Sequence, residues 1–153
     1  MLRISLAAFH LLALAIGLGA VLMRASALQE PASQGSMRRA FRADSNWGIA
    51  AGLWVVTGLW RYLGGIEKGT PYYNGNHIFL AKMSVFVLIV ALEISPMVTL
   101  IKWRTALAKG AAPEAVAVPG MARRIATISR IQAVLVALMV FLAVSMARGY
   151  GSH

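Results

Sequence analysis

The sequence predicts an all-α integral membrane protein, a four-helix bundle with both termini outside. Of its 153 residues, 59% are hydrophobic and 13% are charged, with a mean hydropathy of +0.69, far too apolar for an ordinary water-soluble domain of this size. The apolar residues gather into four runs, at about 4–23, 46–63, 78–101 and 131–147. At about 1.5 Å rise per residue each crosses roughly 30 Å of hydrocarbon, some with help from flanking residues. Ten of the 15 Lys and Arg residues lie in the first and third connections, which the positive-inside rule places in the cytoplasm.

The first run begins Met-Leu-Arg and ends near Ala-Ser-Ala, so a cleaved signal peptide has to be weighed. Its apolar stretch of about 20 residues exceeds the usual 7 to 15 of such a peptide, and we read it as a true first helix. A linker with Pro31 and the basic cluster Arg38, Arg39 and Arg42 follows, carrying a short amphipathic turn around 37–42. Asp44 or Ser45 caps the second helix, whose interfaces are marked by Trp47 and by Trp60-Arg61-Tyr62.

The outer connection GGIEKGTPYYNGNH is rich in turn residues, with Tyr72 and Tyr73 at headgroup level. The third run follows, and the loop after it, with two prolines and many small residues, reads as a tether to the fourth. None of the runs alternates polar with apolar residues, which excludes a β-barrel. Small residues four apart, at Ala13/Gly17, Gly48/Gly52 and Ala133/Ala137, allow close helix packing within the bundle or in a homo-oligomer. One membrane domain over 1–153, in the plasma membrane of a bacterium, is the expectation.

Several function classes fall away. With no cysteine there is neither a disulfide framework nor a thiolate metal site. The net charge of +10 follows the flanks of the spans, so the basic residues point to anionic lipid and not to nucleic acid. No phosphate-binding glycine loop, HExxH motif or nucleophile elbow occurs.

Ionisable side chains inside spans are costly and become functional candidates. His10, Lys82 and Glu93 qualify. The 11 residues between Lys82 and Glu93 turn through about 1100°, which leaves them within roughly 20° of one another on one helix face. That face also carries Phe86, Ile89 and Met97, and Pro96 marks a potential kink. By depth Glu93 meets Arg130 and Gln132 of the fourth span or Arg24 of the first, as a structural clamp or as a proton relay.

His10 and Lys82 lie at similar depths in the outer leaflet, with His77 at the mouth of a shared pocket and Arg61 beside it. Neutral imidazole is a good ligand for haem iron, which makes His10 the candidate axial ligand and the candidate metal-binding residue. Basic groups near the membrane surface suit haem propionates. A hydrogen-bonded structural histidine and a snorkelling lysine are the alternative.

The segments AFHLLALAIGLGAVLMRA, WGIAAGLWVVTGLWRYLGGIEKGTPYYNGNHIFLAKM and ALEISPMVTLIKWR resemble a bacterial family of four-helix predicted membrane proteins without assigned function. More distantly, FHLLALAIGLG, MRRAFR and NHIFLAKMSVFVLIV resemble HemJ-type protoporphyrinogen oxidases, four-helix proteins that bind haem b. That resemblance carries a functional histidine to His10 and a lysine to Lys82. It departs at His77, five residues before Lys82 where the family spaces them by three, and at Glu93, where a histidine stands in the family. Two functions are therefore expected. One is a haem b-binding membrane oxidoreductase that passes electrons or oxidises a porphyrinogen, with a quinone or porphyrin substrate. The other is a non-redox scaffold or permease component with structural Lys82 and Glu93.

Overall fold

A computed structural model describes residues 1–64 and 74–151 of the chain. Among these lie five helices, α1 (Leu2–Ala27), α2 (Gln34–Leu63), α3 (His77–Ala108), α4 (Pro113–Val116) and α5 (Pro119–Ala147). The protein is all-α, and three helices are long and apolar enough to cross a membrane: Ile4–Ala27, His77–Ala108 and Pro119–Ala147, with mean hydropathies of 2.3, 2.3 and 2.1. The second is not among them. Arg38, Arg39, Arg42 and Asp44 occupy its first half, and two glycines, two tryptophans, a threonine and Arg61 dilute the second. Most of the outer connection, including Tyr72 and Tyr73, lies outside the described residues, as does His153.

The helices run well past the apolar stretches that the sequence marks. α2 starts at Gln34 and not near Asn46, because Ser33 caps it: the Ser33 hydroxyl accepts from the Ser36 N–H at 3.1 Å and the Ser36 hydroxyl accepts from the Ser33 N–H at 3.0 Å. Asp44 and Ser45, expected as caps, therefore sit within the helix. At the same end of the molecule α3 continues to Ala108 and α5 begins at Pro119, so much of the expected tether is helical. Proline at the first turn of α4 and of α5 needs no hydrogen-bond donor there, and its fixed φ suits a helix start. α3 passes through buried Pro96 without ending.

α1 packs most extensively against α2, α3 against α5, and α1 also against α5, whereas α2 and α3 touch little. The side-by-side order is thus α2–α1–α5–α3. Gly17 permits the closest α1/α2 approach: a Cβ there would stand 3.0 Å from the Trp47 ring. Trp47 is consequently buried, not an interfacial marker. A Cβ at Gly48 or Gly52 would meet nothing within 4 Å, so that small-residue pair takes no part in packing within the chain.

The core has two parts. One, built around Leu28, Met37, Leu100, Trp103 and Ile125, joins the linker to the polar end of the helices. The other, built around Ala13, Val21, Trp47, Trp54, Ile89 and Val136, lies within the apolar stretches. Between them sits a layer of buried polar side chains.

Candidate functional site

The polar layer is organised by Arg24, whose side chain is wholly buried. Guanidinium offers five N–H donors in a planar fork, and here all five are taken. Nε donates to the Ser129 hydroxyl at 2.9 Å. Nη1 donates to Asp44 at 2.9 Å and to Glu93 at 2.7 Å. Nη2 donates to the other Glu93 oxygen at 2.9 Å and to the Gln132 side-chain oxygen at 2.8 Å. Gln132 Nε2 donates back to Glu93 at 2.8 Å, and Ser129 donates to the Ile125 carbonyl at 2.9 Å.

One cation thus ties α1 to α2, α3 and α5. Two of the three expected partners of Glu93, Arg24 and Gln132, are present. Arg130 is not: it is exposed and lines a second cleft with Glu30, Glu114 and Arg123 at the polar end of the molecule. Depth alone could not separate Arg130 from Gln132, which are 200° apart around a helix. Asp44 was missed because its position before an apolar run resembles a cap. With each donor met by an acceptor and the two carboxylates facing Arg24 and, at 3.8 Å, Arg104, the arrangement is that of a clamp.

The second inward station is a cleft at the other end, about 580 Å³ in volume, between α1, α2, α3 and α5. It brings together His10, Arg61 and Lys82, as the sequence suggests, with Trp54, Tyr62, Phe79 and an apolar wall from Met139 to Ala147. His77 is not in its lining. It opens α3, and its backbone N–H donates to the Gly151 carbonyl at 3.2 Å. The neighbouring Asn76, fully buried, caps α3 by accepting from the Phe79 N–H at 3.1 Å and donates to the Tyr150 carbonyl at 3.1 Å. The C-terminal turn is thereby fastened beside the cleft.

Both nitrogens of His10 are engaged. Indole is a donor only, so the Trp54 Nε1–H, 2.8 Å from His10 Nε2, fixes Nε2 as the acceptor. Nδ1 then carries the proton and donates to the Thr57 hydroxyl at 2.9 Å, which in turn donates to the Leu53 carbonyl at 2.7 Å. Trp54 and Thr57, three residues apart on one face of α2, are site residues that sequence reading missed. Their spacing opposite His10 was the available signal.

A haem iron would take the Nε2 lone pair. In this structure that lone pair faces the Trp54 N–H, so His10 does not fit haem ligation as it stands. Nδ1, by contrast, is held as in a metal-ligating imidazole, by donation to a fixed acceptor. Among the described residues no group of three or more His, Asp or Glu side chains is placed to hold a metal ion.

No curated protein and no solved structure matches the chain, and the expected resemblance to HemJ-type oxidases is not shown by these comparisons. A family model does match, over residues 2–151, and by it the chain belongs to the family described as predicted membrane protein (DUF2214).

Proposed function

We propose that this is a four-span protein of a bacterial plasma membrane, termini outside, whose outer-leaflet cleft binds an amphipathic anion. The observation that carries the binding role is the cleft: an apolar, aromatic wall with His10, Arg61 and Lys82 set into it. Sites of this kind, apolar with a few convergent polar groups and of about 300–1,000 Å³, are typical of small-molecule binding. The fourth span is supported by exposed apolar side chains. They run from Ile4 to Met23 on α1, Ile49 to Leu63 on α2, Leu80 to Ile101 on α3 and Ile131 to Val144 on α5, a common belt that includes α2. The orientation is supported by the nine Lys and Arg residues of the first and third connections that lie beyond Arg24.

In this reading the permease-like alternative of the sequence gains its ligand class, and Arg24 with Glu93 supplies the frame. The apolar part of the ligand lies against Met139 to Ala147 and its anionic group toward Arg61 and Lys82. A fatty acid carrying a diazirine next to its carboxylate tests it. Photolysis in nanodiscs should label α5 near Met139–Ala147, and Arg61→Gln with Lys82→Gln should reduce that labelling severalfold. Labelling spread evenly over the lipid-facing belt and indifferent to both substitutions would refute the binding role.

A second reading, haem b on His10, is favoured by the Nδ1 hydrogen bond to Thr57 and requires Trp54 to release Nε2. Its test is a visible spectrum of protein expressed and reconstituted with haem. A Soret band abolished or shifted by His10→Ala supports it, and no band in either preparation sinks it.

A further inference from the structure

The α2/α3 side is where the walls of the cleft are least joined. α2 and α3 make little contact: at the Arg24 end Arg104 of α3 reaches Phe41 and Ser45 of α2, and beside the cleft two aromatic pairs bridge the seam. Tyr62 stacks on Phe79 with centroids 5.6 Å apart and planes at 7°, while Trp54 meets Phe86 edge-on at 5.8 Å and 82°. On α2 the two aromatics are eight residues apart with Gly58 midway, and on α3 they are seven apart with Lys82 between them. These spacings keep each set on one helix face, so the pairs form two lintels of a window about two turns high. Its sill on one side is Gly58, which has no side chain, and on the other Lys82. Directly behind lies the imidazole: a Cβ at Gly58 would stand 3.5 Å from His10 Cε1.

From this geometry we infer that the ligand is a single-chain anionic lipid of the outer leaflet, admitted sideways between α2 and α3, its carboxylate or phosphate inside near Lys82 and its alkyl tail left in the window. This deepens the amphipathic-anion reading and rests on it. The surroundings favour such an occupant over a compact water-borne acid. Val55 and Leu59 on α2 and Met83 and Val87 on α3, next to the paired aromatics by helical rotation, are exposed apolar side chains, so the window faces hydrocarbon in the proposed membrane setting. An alkyl tail spanning it stays in apolar surroundings throughout, whereas a charged headgroup meets a cation as it enters.

Two fatty-acid probes separate this inference from its parent. With a diazirine next to the carboxylate, labelling should fall inside the cleft. With a diazirine at the chain end, it should fall on the outer flanks of the seam, near Val55 and Met83. Gly58→Leu should slow the appearance of label severalfold after transfer from donor vesicles, and Tyr62→Ala, which removes a lintel, should speed it. Lysophosphatidylglycerol and fatty-acid versions of the probe, each with one chain, distinguish a phosphate-bearing from a carboxylate-bearing lipid. If the head probe labels the cleft while the tail probe does not reach the seam and neither substitution alters the rate, side admission is wrong and the binding role stands. If the head probe fails to label the cleft, the binding role itself fails.

Discussion

Arg24 and Glu93, 69 positions apart in the chain, meet as a two-pronged pair, Nη1 to Oε1 at 2.7 Å and Nη2 to Oε2 at 2.9 Å. Arginine suits this place because its fork is planar and permanently charged, whereas lysine concentrates three donors at one point. Arg24→Met should destabilise the protein by about 3–5 kcal/mol, since it leaves two carboxylates without their cation. Arg24→Lys should fall between Met and the native residue. Unfolding in mixed micelles measures both, and a loss well below 1 kcal/mol for Arg24→Met would contradict the clamp.

His10 offers a contrast between shape and chemistry. His10→Ala strands the Trp54 indole N–H and should cost about 1–3 kcal/mol. His10→Gln can still accept from Trp54 and donate to Thr57, so it should recover most of that stability. A haem site would respond differently, because glutamine is no substitute for imidazole on iron. Thermal unfolding and the visible spectrum of the same two variants therefore separate a structural histidine from a ligand.

Gly17 and Gly52 should behave oppositely. Gly17→Ala presses a methyl against Trp47 and should cost about 1–3 kcal/mol unless the ring shifts. Gly52→Ala meets open space and removes backbone freedom from the unfolded chain, so a gain of about 0.5–1 kcal/mol is expected. Equal effects at the two sites would show that helix propensity, not the α1/α2 contact, governs both.

The C-terminal turn should depend on Asn76 and Gly151. Gly151 has φ +81°, and a Cβ there would lie 2.8 Å from the Asn76 side-chain oxygen, so Gly151→Ala should release the turn. Asn76→Ala removes the α3 cap as well and should cost about 1–2 kcal/mol. Limited proteolysis of the C-terminus reports the first effect, and unfolding the second.

Because the chain has no cysteine, membrane orientation can be read with single introduced thiols. Ser33→Cys and Ala111→Cys should react with an impermeant reagent only from the cytoplasmic side, Ser5→Cys and Asn74→Cys only from outside. If thiols at 5 and 33 react from the same side, α1 does not span.

Much of this arrangement was legible because burying charge in hydrocarbon leaves a mark in sequence. Lys82 and Glu93 stand out against an apolar run, and a shared helix face follows from their spacing. The depth argument then reached Arg24 and Gln132. It failed at Asp44, whose surroundings mix serines and arginines so that the first 12 residues of α2 look like linker, and at Trp54 and Thr57, which read as ordinary members of an apolar helix. Their role lies in what faces them across the bundle. Reading tryptophan as an interface marker failed at Trp47, where the glycine opposite, not the membrane surface, decides its place.

The Arg24 clamp also governs motion. Every long helix is pegged to the same side chain at one height, so none can slide along its neighbours without forfeiting a bond. His10 lies 14 residues back along α1, about 21 Å from that peg. Movement that keeps these bonds is thus restricted to splaying from a fixed fulcrum, with its largest arc at the His10 end: the molecule is built like tweezers, held at the Arg24 end.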